Sequence, residues 1–266
     1  MPIICQQPLN PLSREEFSRL SYDLMADVFA IRNELGRFFD EKHYKQALAL
    51  KRQDVILEVP VRVNHQTFSK IYFLDALLAA GAIIEFKSTE ALSKRNKAQL
   101  LHYLMLTDLE HGLLINLRPE RVAKEFVNCS LRRCDQLDFH VLATDWREEA
   151  PGGKFFRDVL IALLEDWGAS LELSLYEEAL THFLGGEPNV LRPVKIYLDG
   201  AELGQQMFRL AADRVAFKLT ALVSHFSQQR FVHHARQLVR HADLDALLWA
   251  NLGRHEITFS CLWSGH

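Results

Sequence analysis

Three charges interrupt an otherwise apolar stretch, Tyr72–Lys87 (YFLDALLAAGAIIEFK): Asp75 near its start, Glu85 and Lys87 at its end. Successive side chains of a strand alternate between faces, so Glu85 and Lys87 share a face with Ile83, while Ile84 and Phe86 cover the other. In a strand buried on both faces such charges are costly and need compensation. A divalent metal held by the two carboxylates, with the ammonium beside it, supplies it. The same residues also fit the wet face of a half-exposed strand, with Asp75 capping a strand or pairing with Lys70 or Arg62.

The elements that must position these residues follow from patterning. Residues 1–12 are expected to form an irregular arm. Ser13 and Glu16 make a capping box opening a helix whose Phe17, Leu20, Leu24, Val28, Ile31 and Leu35 form one apolar stripe, with Gly36 as its stop. A second helix runs from Asp40–Glu41 through Tyr44, Ala47 and Leu48 to about Arg52; acidic residues in its first turn suit the helix dipole, and Glu41 taken alone is a solvated first-turn residue. Val55–Val63 alternates as a strand, which Pro60 assigns to an edge or a bulge. Thr67–Leu78 and Ala82–Ser88 complete a three-stranded meander. A helix from Leu92 to about Leu106 turns Ala98, Leu101 and Met105 inward. Gln99 and Tyr103 lie one turn apart on one of its faces, a spacing equally suited to residues bordering the core and to residues orienting a reactive group. Gly112–Leu117 reads as a central strand, Val122–Cys129 as a further one, and Leu137–Leu142 as a strand or a linker. Asp145–Lys154 (DWREEAPGGK) is the clearest punctuation and sets the expected domains at 1–144 and 145–266.

Composition narrows the class. With 266 residues, 48% hydrophobic and 24% charged, the chain has the make-up of an ordinary globular protein. A net charge of −3 provides no global basic field, so a nucleic-acid partner would be held by a local patch. Cys5, Cys129, Cys134 and Cys261 form neither a disulfide scaffold nor a CxxC, and zinc and disulfides are not expected. The start MPIICQQPLN lacks a basic, then apolar, signal pattern, and no apolar run is long enough to span a bilayer; a cytoplasmic protein with no membrane partner is expected.

Beyond the boundary the plan repeats. Tyr176-Glu-Glu-Ala-Leu180 echoes Tyr44-Lys-Gln-Ala-Leu48, Val194-Lys-Ile echoes Val61-Arg-Val, Val215–Thr220 stands where Ile83–Ser88 stood, and Asn251 echoes Asn116, all at an offset of roughly 132–135 residues. The equivalent positions lose the charges: Leu173 for Glu41, Phe208 for Asp75, Lys218 for Glu85, Thr220 for Lys87, with His234 near Gln99. A copy that keeps an apolar framework without these charges argues that folding does not require them in the first.

At these residues the chain resembles the PD-(D/E)xK nuclease superfamily, and within it the GxxExxY family. The resemblance runs in order through Asn33-Glu-Leu-Gly36, Glu41-Lys-His-Tyr44-Lys-Gln-Ala47-Leu48, Asp75, Glu85-Phe-Lys87, Ala98-Gln-Leu-Leu-His-Tyr103-Leu and Gly112–Asn116, and covers about residues 15–128. Phe38 stands where the family's pattern opens with glycine. The resemblance implies an α/β fold with a restriction-endonuclease-like αβββαβ core, mixed central sheets flanked by helices, and the repeat makes it internally duplicated. It also implies a Mg²⁺ (or Mn²⁺) site with Asp75, Glu85 and Glu41 as metal ligands. Lys87 and Glu41 would be catalytic, with Gln99 and Tyr103 orienting Lys87, water or phosphate. The expected activity is cleavage of phosphodiester bonds in DNA, ahead of RNA, by an intramolecular pseudo-dimer or a homodimer. The rival expectations are a non-catalytic nucleic-acid- or protein-binding module with a vestigial site, and a scaffold without a nucleic-acid role. A late basic segment, with His225, Arg230, His233, His234, Arg236, Arg240 and His241, is either a solvated helix face or a phosphate-binding arm.

Overall fold

The structure is a computed structural model that describes residues 2–143 and 145–264. It divides into two compact units, residues 1–133 and 134–266. In the first, the order is β1 (Ile3–Cys5), α1 (Arg14–Leu35), α2 (Glu41–Lys51), β2 (Val55–His65), β3 (Phe68–Leu78), β4 (Ala82–Lys87), α3 (Lys94–Thr107), β5 (His111–Asn116) and β6 (Ala123–Asn128). The six strands form one sheet in chain order, in which only β4 and β5 run parallel, joined by the α3 crossover. Every residue of β5 is buried, as a central strand covered on both faces requires.

Local sequence accounts for the helices. The capping box of α1 is complete: Glu16 N–H donates to Ser13 Oγ and Ser13 N–H to Glu16 Oε2. Its buried stripe, Phe17, Leu24, Val28 and Ile31, packs on one face of the sheet together with Tyr44 and Leu48 of α2 and with Ala76, Ile84, Phe86, Leu113 and Ile115. α1 stops at Gly36, whose φ of 77° suits glycine. α3 begins at Ser93, later than expected, because Ser93 and Asn96 form a second capping box there. It approaches the sheet so closely that a Cβ on Gly112 would lie 3.0 Å from a Leu100 methyl.

The N-terminal arm departs from expectation. Residues 3–5, apolar and extended, pair with the far end of β2 (Ile3↔Val63, Cys5↔Val61), so the arm is partly a strand and β2 is not the sheet's edge. This pairing starts just past Pro60, whose carbonyl accepts the Gln6 N–H while the imide nitrogen asks for no partner.

The second unit contains α4 (Arg133–Leu137), β7 (His140–Ala143), α5 (Gly153–Trp167), α6 (Leu173–Phe183), α7 (Glu187–Val190), β8 (Leu191–Leu198), β9 (Ala201–Ala212), β10 (Val215–Thr220), α8 (His225–His241), β11 (Ala246–Leu252) and β12 (Glu256–Trp263). Its sheet order is β7-β12-β11-β10-β9-β8, again with the two central strands, β10 and β11, parallel. The chain divides between Arg133 and Cys134, where the turn residues set an expectation of 144/145. β7 pairs with β12 (His140↔Glu256) and the Gln136 carbonyl accepts the Ala169 N–H, which binds this segment to the second sheet. Thr144 itself lies outside the described residues, as do Met1, Gly265 and His266. β12 fell outside the sequence reading altogether; it pairs with β11 along seven positions, Ala246↔Trp263 to Leu252↔Ile257.

Both units are mixed six-stranded sheets flanked by helices, consistent with a duplicated restriction-endonuclease-like fold. Details repeat as well as topology. Tyr44 donates to the carbonyl of Gly36, the stop of α1, and Tyr176 to that of Gly168, the stop of α5. Lys87 pairs with Asn116 across the parallel strands, and Thr220 with Asn251. Each asparagine holds the backbone just past its neighbouring strand: Asn116 bonds the N–H and carbonyl of Thr89, Asn251 those of Leu222. Among the described residues no helix is long and apolar enough to cross a membrane.

Candidate active site

The site lies where β3 and β4 part. Their antiparallel pairing runs only from Ala76↔Ile84 to Leu78↔Ala82, which leaves the next β4 amides without a β3 carbonyl. Asp75 fills that gap: its Oδ2 accepts the Phe86 N–H at 2.9 Å. An aspartate at the point of divergence thus satisfies the backbone between Glu85 and Lys87 and brings its own charge beside them.

Two further elements close in. Glu41, in the first turn of α2, accepts the Ser88 N–H on Oε1 at 2.6 Å, just past the end of β4. One helical turn on, Lys45 reaches Asp75 Oδ1 (2.7 Å) and also bonds Glu58. Glu58 faces Asp75 across the strand pair, since its neighbours Leu57 and Val59 pair with Ala76 and Leu74. Two carboxylates opposed in this way repel, and the largely buried Lys45 ammonium compensates both. Burial opposes the charge on Lys45, but its bonds to Asp75 and Glu58 and their charges outweigh that and raise its pKa. Glu58 also has a left-handed backbone, φ 50°, which costs a side-chain-bearing residue about 1–2 kcal/mol and is held in place by its surroundings.

Glu85 is the most unusual group. It is 2% exposed, its Oε1 accepts from Lys87 Nζ at 2.6 Å, and its buried Oε2 has no hydrogen-bond partner among the described residues. Burial, followed by the neighbouring Asp75 charge, pushes its pKa up to about 7; Lys87 opposes this and Glu41 adds to it. Glu41, Asp75, Glu85 and Lys87 therefore come together, although Glu41 and Lys87 lie 46 positions apart in the chain.

The arrangement differs from the expected ligand cage. Among the described residues no group of three or more His, Cys, Asp or Glu side chains is gathered to hold a metal ion. Both oxygens of Asp75 and Oε1 of Glu41 are already engaged, by Lys45 and Phe86 N–H in the first case and by Ser88 N–H in the second. What fits a hard divalent cation is the donor chemistry, carboxylate oxygen throughout, and the buried Oε2 of Glu85, left without a hydrogen-bond partner among the described residues. Gln99 and Tyr103 are brought to each other, with the amide donating to the hydroxyl at 3.0 Å and the Tyr103 ring edge-on to Tyr72. Among the described residues Gln99 makes no bond to Lys87; helical spacing places it on Tyr103 instead.

Sequence reasoning missed Lys45 and Glu58. Lys45 could have been found from its position one turn after Glu41; Glu58 needs the β2–β3 register, which the sequence does not give. It also missed Asn116, fully buried, which accepts from the amides of Thr89 and Arg118 and fixes the turn that follows Lys87.

The second unit inverts the signs. The fourth residue of β10, Lys218, occupies the place of Glu85, and the fifth residue of α6, Glu177, that of Lys45; the two form an ion pair at 3.7 Å, with Arg209 also 3.6 Å from Glu177. Leu173, Phe208 and Thr220 take the places of Glu41, Asp75 and Lys87. The clefts of about 480 Å³ beside Phe17 and His111 and of about 340 Å³ beside His182 and Arg209 include none of the residues Glu41, Asp75, Glu85 and Lys87.

No curated protein and no solved structure matches the chain significantly. A family model described as the PD-(D/E)XK nuclease superfamily matches residues 18–128, the stretch that carries Glu41, Lys45, Glu58, Asp75, Glu85 and Lys87.

Proposed function

We propose that the first unit is a divalent-metal-dependent nuclease that hydrolyses phosphodiester bonds of DNA, in preference to RNA. The observation that carries this reading is Glu85: a carboxylate buried beside Asp75 and Glu41 with one oxygen unpartnered. Mg²⁺ or Mn²⁺ fits this donor set, and Asp75, Glu85 and Glu41 would hold it. When bound, such an ion polarises a phosphoryl oxygen and lowers the pKa of water.

The protein's own residues supply the rest. Lys87, fixed by Glu85, places an ammonium where negative charge develops on the phosphorane oxygens and where attacking water must be oriented. Asp75 fixes the backbone between the two by its bond to Phe86 N–H, and Lys45 holds Asp75 in place from behind. Glu41 fastens Ser88, so the chain past Lys87 is pinned from α2. Gln99 and Tyr103 form a bonded pair on α3 whose role is to position a phosphate or water rather than Lys87 itself. The ordered motifs from Asn33 to Asn116 favour membership of the GxxExxY family. The second unit is read as a degenerate copy, because Lys218 and Phe208 replace the two central carboxylates.

The test is incubation of the chain with labelled single- and double-stranded DNA and RNA in Mg²⁺ or Mn²⁺, against EDTA and Asp75→Ala. Metal-dependent cleavage lost in Asp75→Ala is expected; cleavage that survives this substitution refutes the assigned site. The rival reading, a binding module with a vestigial site, is favoured by the ammonium and amide groups already on the carboxylates. Salt-dependent binding with no cleavage in any metal would establish it.

A further inference from the structure

The helix that follows β10 carries an unusual charge pattern. α8 holds three arginines and four histidines in 17 residues, with no aspartate or glutamate. Ala235 and Val239 bury one side of it against Ala216, Leu247 and Leu262, and this turns Arg230, His233, His234, Arg236 and Arg240 to solvent. Among the described residues no carboxylate pairs with any α8 cation, in contrast to Arg192, Lys195 and Arg214 of the same unit, each of which has an acidic partner. A chain of net charge −3 has thus gathered uncompensated positive charge on one helical face.

The sheet beneath continues the pattern. A groove of about 370 Å³ runs along α8, lined by Gln228, Gln229, His233 and Arg236, with Trp249 also in its wall. Trp249 is the β11 partner of Lys218, the residue in the place of Glu85. Ala216 packs under α8, and strand alternation puts Lys218 on the same face of β10. Where the first unit presents carboxylates that call for a metal, the second presents an ammonium and, on the helix above it, guanidinium groups. Glu177 neutralises part of this at Lys218; nothing described does so on α8.

We propose that α8, with Lys218, is a metal-independent binding face for the phosphate backbone of a nucleic acid. This rests on the reading of nucleic acid as the substrate and gives the second unit the task of holding it. Fixed cations bind a polyanion by releasing its condensed counterions and need no divalent ion to do so. Exposed arginines without acidic partners suit phosphate oxygens, which they engage in paired hydrogen bonds.

The experiment is fluorescence anisotropy of the full chain with a labelled DNA duplex in EDTA, across a series of KCl concentrations. The variant carries Arg230→Gln, Arg236→Gln and Arg240→Gln together. Loss of three phosphate contacts is expected to weaken binding by about tenfold or more at moderate salt and to flatten the log–log salt slope by about 2–3. Unchanged affinity and slope in a variant with wild-type circular dichroism and melting would overturn the proposal. So would binding to phosphatidylserine vesicles without binding to DNA. If the triple variant fails to fold, Arg236→Gln and Arg236→Lys decide: weaker binding than wild type, with the glutamine at least as weak as the lysine, supports the proposal, and wild-type affinity in both overturns it. Cleavage is measured separately in Mn²⁺, so a chain that binds through α8 without cutting sinks the nuclease reading and leaves this one standing.

Discussion

Replacing Glu85 by glutamine should stabilise the protein at alkaline pH while removing its proposed activity. In the folded chain burial and the nearby Asp75 charge raise the Glu85 carboxyl from its ordinary 4.5 to about 7. A raised carboxyl binds its proton more tightly folded than unfolded, so the stability it contributes is complete below pH 4.5 and is lost as pH rises through 7. The loss corresponds to about 3 kcal/mol, at about 1.4 kcal/mol per pH unit. Wild-type protein alone would hide the effect. Burial, aided by Lys70, lowers His102 to about 3, and a lowered histidine contributes stability that is present above pH 6.5 and lost as pH falls. Between pH 4.5 and 6.5 the two slopes oppose each other. The difference between Glu85→Gln and wild type cancels His102 and isolates the carboxyl. Glutamine keeps the shape, the neutral state and an acceptor for Lys87. Scanning calorimetry at half-unit steps from pH 4.5 to 8.5 is expected to show melting temperatures that agree at the acid end. They should diverge to on the order of 10 °C in favour of glutamine at the alkaline end. A difference that does not grow with pH would refute the argument that Glu85 is ionised at a cost in the folded state.

Three other outcomes follow from the same geometry. Divalent metal at pH 8 should raise the melting temperature of wild type and not of Glu85→Gln, because the carboxylate that pays for its burial is the one a cation would relieve; an equal rise in both would place the metal elsewhere. Lys45→Met should leave Asp75 and Glu58 facing each other uncompensated and cost on the order of 2 kcal/mol in urea unfolding, below the range of fully buried pairs because Glu58 is half exposed, with Lys45→Arg largely restoring stability. Asn116→Ala and Asn251→Ala should each cost about 1–3 kcal/mol, since each asparagine satisfies backbone groups just past a central strand; hydrogen exchange is expected to show the loosening at Thr89 in one case and at Leu222 in the other.

Much of this was legible in the chain. Helix α1 announced its start, its apolar stripe and its stop, because each depends on residues within one or two turns. The two-unit plan was legible because Tyr44 and Tyr176, or Asn116 and Asn251, do the same work at nearly the same offset. The convergence of Glu41 with Asp75, Glu85 and Lys87 was legible only as an ordered set; no single residue carries it. Long-range pairing was not legible. Nothing local marks residues 3–5 as the partner of Val61–Val63, or β12 as the neighbour of β11. The expected boundary rested on the turn residues of Asp145–Lys154, whereas the division at 133/134 follows which sheet β7 joins. Lys45 and Glu58 escaped because their meaning lies in a cross-strand register, and a lysine in a helix is otherwise an ordinary surface residue.

The Lys218–Glu177 ion pair restricts how the second unit can change. Setting glutamate at Lys218 would not recreate the first unit's centre; it would place a carboxylate against Glu177, with Arg209 as the nearest named cation and phenylalanine where Asp75 should be. Setting lysine at Glu177 first would put two ammonium groups together. Either first step crosses a like-charge state that costs stability before any gain appears. Each single step away from the second unit's arrangement is uphill, so its charge pattern acts as a ratchet, and conversion to the first unit's pattern needs at least a paired substitution.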